Sequence, residues 1–134
     1  MNFLDKLRPL ALLLLRWALG IVFVFHGYPK LFTETHRYLD AFVRMGFPSY
    51  FSYIAGVVEL FGGSLLIAGL FTRIAGLLLA GEMAIAIWRV HLSKGVFAVA
   101  EYEFPLALAV GAFTLMTTGA GVISLDRAIF KGKA

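Results

Sequence analysis

The residues best placed to do chemistry are ionisable side chains set inside apolar runs. Arg16 and His26 lie in the first run, Glu59 in the second and Glu82 in the third. A lone charge at a bilayer centre costs about 2.5–3.5 kcal/mol on insertion scales. Glu59 and Glu82 are therefore expected to be protonated, paired with a cation or turned toward a hydrated cavity. Lys30, Arg89, His91 and Glu103 lie near the ends of the same runs and supply candidate partners. His26 and Lys30 are four residues apart, so they share a side if the helix carries on through Pro29. Glu82 and Arg89, seven apart, share a face, whereas His91 points elsewhere.

The candidate binding-pocket residues are therefore His26, Lys30, Glu59, Glu82, Arg89, His91 and Glu103. No residue is assigned a catalytic role, and no metal site is predicted. Glu59 and Glu103 are suited to accept protons or hydrogen bonds, while Lys30 and His26 would orient an anion or a carbonyl. The ligand this chemistry suits is a quinone or another small polar molecule. The same residues would equally serve as an ion-pair network that only holds helices together. Haem between His26 and His91 would use imidazole ligation, but no supporting spacing accompanies the pair, so haem is disfavoured. Cysteine is absent, which removes thiolate nucleophiles, disulfide exchange and iron–sulfur ligation.

The elements that must carry these residues follow from composition. In 134 residues, 60% are hydrophobic and 15% charged, against roughly 25% charged in soluble domains. The mean hydropathy is +0.86, and the chain reads as an all-α integral membrane protein. A span needs about 20 apolar residues, which divides the chain into one transmembrane domain over 1–134 with spans at about 9–28, 52–71, 74–92 and 104–125. The expected architecture is a four-helix up-down bundle, with Pro9 opening the first helix and Pro105 in the first turn of the fourth. In that arrangement the end of the first span, the start of the second, the end of the third and the start of the fourth share one membrane face.

Lys and Arg near the helix ends favour both termini in the cytoplasm once Lys30 and Arg89 are set aside as site residues. The net charge of +4 is scattered between spans, so nucleic acid is not a predicted partner. Gly56, Gly62, Gly63, Gly76, Gly81 and Gly111 allow close helix contact, within the bundle or between copies of the chain. Arg16 is expected to snorkel or pair internally, Arg73 to anchor a turn, and Trp17 to sit in an interfacial belt. Between the first two spans, Tyr38, Phe42 and Met45 fall at helical spacing, which predicts a short interfacial helix without a gating role.

Motifs along the chain resemble, in order, those of the DoxX family. They are His26-Gly27-Tyr28-Pro29-Lys30, Val58-Glu59-Leu60-Phe61-Gly62-Gly63, Leu70-Phe71-Thr72-Arg73, Val90-His91, Tyr102-Glu103-Phe104-Pro105-Leu106 and Ser124-Leu125-Asp126. The resemblance implies a small four-helix protein of the bacterial inner membrane, linked in some relatives to thiosulfate:quinone oxidoreduction or to oxidative-stress complexes. It highlights His26, Lys30, Glu59, Arg73, His91, Glu103 and Asp126. Glu82 stands at a position where the family varies, so its role rests on burial alone. Two functions follow as expectations: a membrane component of a quinone-linked oxidoreductase system, with a partner oxidoreductase subunit or a second copy, and a non-catalytic accessory subunit. A small transporter is disfavoured for want of broken helices or an inverted repeat.

Overall fold

Backbone groups in hydrocarbon must be paired within their own segment, which favours helices along apolar runs. The computed structural model describes residues 2–91 and 99–130, with the backbone alone at 90, 91 and 99–101, and these residues are mostly helical with no strand among them. A short α1 (Asn2–Lys6) leads into α2 (Arg8–Tyr28), which carries Pro9 in its first turn. The sequence reading closes this helix at Tyr28, but the chain continues through a π-helical turn, Pro29–Thr33. Pro29 has no N–H to give and its ring crowds the carbonyl four residues back. A wider turn follows it, in which Glu34 N donates to Pro29 O at 2.9 Å in the longer register.

The interfacial segment forms α3 (Thr35–Arg44), followed by α4 (Phe51–Ala68). Gly69 ends α4 in the left-handed region at φ 71°, because only glycine takes that conformation at no steric cost. Phe71 is also left-handed, at φ 50°, and leads into α5 (Thr72–Ala86) and a second π-helical turn, Ile87–His91. The last long helix, α6 (Val99–Thr118), begins earlier than the sequence suggests, which leaves Pro105 in its interior. It also ends earlier, since Gly119 and Gly121 both take positive φ, and α7 (Leu125–Phe130) follows. Hydropathy marks what is apolar; these glycines decide where a helix stops.

α2 packs against α4 and α5 against α6, with α4–α5 contacts joining the pairs and α2 touching α6. On α2, Gly27 is so close to α4 that a Cβ would sit 2.5 Å from Leu60 N, and one on Gly63 would sit 2.7 Å from Gly20 O. Close approach of this kind replaces the hydrophobic drive that lipid does not supply. The interior is formed by Leu19, Phe23, Leu66, Leu79 and Leu115, while Ile21, Phe25, Phe61, Ile74 and Phe113 face outward. Two helical stretches, Arg8–Thr33 of 26 residues and Phe51–Ala68 of 18, are long and apolar enough to cross a membrane.

Candidate functional site

The α2–α4 contact carries Lys30, on the π-helical turn, against the middle of α4. Lys30 is 7% exposed and Glu59 is 3% exposed, and Lys30 Nζ donates to Glu59 Oε1 at 2.8 Å. The same ammonium donates to His26 O at 2.9 Å and lies 4.8 Å from the Tyr38 ring centroid. Glu82 approaches from α5. Both its carboxyl oxygens are buried and neither accepts from a donor among the described residues; the Glu59 carboxyl lies within hydrogen-bonding reach, and Lys30 is a further electrostatic neighbour. One ammonium therefore serves two carboxyl groups, and in a low-dielectric interior that imbalance is costly unless a proton or a ligand offsets it.

These three residues line an open cavity of about 730 Å³ whose walls are otherwise mostly apolar. Phe23 and His26 come from α2, Tyr38 and Phe42 from α3, Met45 from just after it, Ala55 and Val58 from α4, Gly81 and Met83 from α5, and Phe104 and Leu108 from α6. Gly81, read from sequence as a packing residue, has no atom within 4 Å of where its Cβ would be, so it widens the cavity instead. His26 is exposed, with Nδ1 2.7 Å from Val22 O and its ring 5.8 Å from that of Phe104. Tyr38 and Phe42 place α3, and Met45 the residue after it, on the cavity wall. Their helical spacing was the available signal; what they line was not visible in it.

The remaining candidates stand apart. The Arg89 guanidinium lies over the rings of Phe47, at 5.4 Å, and Trp88, at 5.8 Å. Only Phe47 of that trio lines the cavity. The π-helical turn breaks the register that would have put Arg89 on the face of Glu82. Glu103 is exposed and off the cavity wall, whereas Phe104, about 100° further round the helix, is on it. The side chain of His91 lies outside the described residues. No group of three metal-ligand side chains is gathered among the described residues.

A second polar cluster forms at the opposite end of the helices. Arg16 is 1% exposed, and its Nη1 donates to Leu66 O at 3.1 Å while Nη2 donates to Ile123 O. It thus neither snorkels nor pairs with a carboxylate through a hydrogen bond; it satisfies the end of α4. Asp126 accepts from Phe71 N at 2.6 Å and from Thr72 N at 3.0 Å, capping α5, and its own N donates to Gly69 O at 2.8 Å. Arg73 donates to Met116 O and Thr118 O, both at 3.3 Å, and to Thr117 O, closing the end of α6. Trp17, expected in a belt, donates from Nε1 to Ile67 O at 3.1 Å.

Helices that show apolar side chains outward and buried ions inward define an all-helical membrane protein. The chain belongs to the DoxX family, whose model matches residues 11–92. It is 36% identical over 130 residues to "Putative oxidoreductase CatD" of Bacillus subtilis (strain 168), covering 97% of this chain and 95% of that protein. It is 27% identical over 132 residues to the inner membrane protein YqjF of Escherichia coli (strain K12), covering 96% and 98%. The inner membrane protein YphA of the same organism is 32% identical over 128 residues, covering 90% and 91%. No solved structure matches significantly.

Proposed function

We propose that this protein is the membrane component of a quinone-linked redox system, a four-helix up-down bundle of the inner membrane with both termini cytoplasmic. The reading rests chiefly on one observation, the buried Lys30–Glu59 pair on the wall of a mostly apolar cavity of about 730 Å³. Apolar walls suit an isoprenoid tail, and the few polar groups would fix the head. The unbroken helical path Thr72–His91 and α6 supply the two further spans. The name of the Bacillus relative supports an oxidoreductase context. With no cysteine in the chain, thiol redox chemistry must come from a partner subunit or a bound substrate. The contribution of this protein is then binding, orientation and proton handling, with Glu59 as hydrogen-bond partner, His26 beside the head and Glu103 at the exposed end of a proton route.

The test is solvent extraction and mass detection of protein purified from quinone-replete membranes. An isoprenoid quinone at about one equivalent is expected, with Glu59→Gln retaining at least tenfold less. Protein that carries no quinone, and that fails to bind an added short-chain analogue, would end this reading. The alternative, an accessory subunit whose charges only fix packing, is favoured by the fact that the Lys30 ammonium is already satisfied within the protein. Stoichiometric capture of a partner that Glu59→Gln leaves untouched would support that alternative.

A further inference from the structure

The unmet hydrogen-bonding capacity of the cavity has one sign. Lys30 carries three donors; two are taken by His26 O and Glu59 Oε1, and the ammonium also faces the ring of Tyr38. It offers little to a ligand carbonyl. Glu82 is the opposite case, since both its oxygens are buried, neither accepts from a donor among the described residues, and the neighbouring Glu59 carboxyl is itself an acceptor. A proton on Glu82 would supply one donor and still leave an acceptor unmet. Glu82 lines the cavity with its carboxyl beside that of Glu59, and the space beside Gly81 is open among the described residues, so a ligand hydroxyl can approach the acceptor that Glu59 does not meet.

We propose that Glu82 recognises the ligand head by accepting hydrogen bonds from hydroxyl groups, so that the cavity selects the reduced quinol over the oxidised quinone. A quinol hydroxyl brings the donor that Glu82 lacks; a quinone carbonyl brings only another acceptor to a site already rich in them. The inference rests on the cavity being a quinone site, and it goes further by naming the redox form held there. Because tighter binding of the reduced form stabilises it, the bound couple should be easier to reduce than the free one.

The experiment measures anaerobic binding of a decyl-quinol and the matching decyl-quinone to the full chain in lipid nanodiscs. The quinol is expected to bind at least tenfold tighter, which for a two-electron couple moves the bound potential upward by about 30 mV. Glu82→Gln, which adds N–H donors at nearly the same size, should bring the affinity ratio to about one or below it, with its melting temperature recorded to show that it folds. Equal affinity of both forms for the wild type, or a tenfold ratio that Glu82→Gln leaves intact, would overturn the role of Glu82 while leaving the quinone reading in place. Failure of both forms to bind the wild type would overturn the two together.

Discussion

At the Arg16 end, the charged side chains bond to backbone groups. Arg16 serves carbonyls of Leu66 and Ile123, Asp126 serves N–H groups of Phe71 and Thr72, and Arg73 serves the last carbonyls of α6. At the Lys30 end, by contrast, the charges face one another, Lys30 against Glu59, with Glu82 left over. The cavities differ accordingly, about 220 Å³ beside Asp126 and about 730 Å³ beside Glu59. Helix ends leave orphan backbone groups that must be met somewhere, so ions spent on them fix where chains stop and turn. Ions that face each other define no chain geometry, and the carboxyl left over is available to a ligand. Similar residue types thus act as clamps at one end and as a binding surface at the other.

The largest effect that would test this contrast is removal of one member of the buried pair. Lys30→Met leaves the Glu59 carboxylate buried without its counterion, a loss of about 3–5 kcal/mol by comparison with other broken buried pairs. The double variant Lys30→Met with Glu59→Leu should recover most of that stability, because a dry apolar pair of similar volume needs no compensation. Thermal unfolding in matched lipid reads both. If the double variant is no better than the single one, the two charges do not act as a pair.

Next in size is Asp126→Ala, which strips acceptors from Phe71 N and Thr72 N and releases a left-handed phenylalanine at φ 50° from the contact that holds it. Bonds to a charged acceptor of this kind contribute about 1.5–3 kcal/mol. A comparable fall in stability is expected, with ligand affinity at the far cavity unchanged. A coupled loss of affinity would mean the two ends are not separable, and the contrast between clamp and site would have to be abandoned.

How much of this was legible in the chain depends on what each residue needed. That Glu59 and Glu82 required partners follows from burial cost alone, since no context is needed to know that hydrocarbon solvates a carboxylate poorly. Which partner each would find was not legible. Lys30 and Arg89 look equivalent in sequence, yet the former sits on a π-helical turn aimed at α4 and the latter on a turn aimed at Phe47. Wide turns of this kind leave no periodic signature. The role of Arg16 was hidden for a similar reason: its partners, Leu66 O and Ile123 O, are carbonyls, and a carbonyl is present at every residue. Glycine packing was visible on α4 but not on α2, where Gly20 and Gly27 lie seven apart amid bulky residues. The cavity itself depends on α3 folding back over α4, and helical spacing cannot report direction.

The smallest effect carries the most information because its sign differs. Glu82→Leu removes a buried carboxyl that accepts from no donor among the described residues and replaces it with a side chain that matches the surrounding walls. Unsatisfied buried polar groups cost about 1–3 kcal/mol, and part of that cost is offset here by the neighbouring ammonium of Lys30. The variant should therefore be more stable than the wild type by about 1 kcal/mol, in contrast to every substitution at the Arg16 end, where each charge is spent on the backbone. A stability gain together with lost quinol affinity would mark Glu82 as a group kept for binding at a cost to the fold. A stability loss of the size seen for Asp126→Ala would mean that Glu82 is one more clamp, and that the two ends differ in geometry but not in purpose.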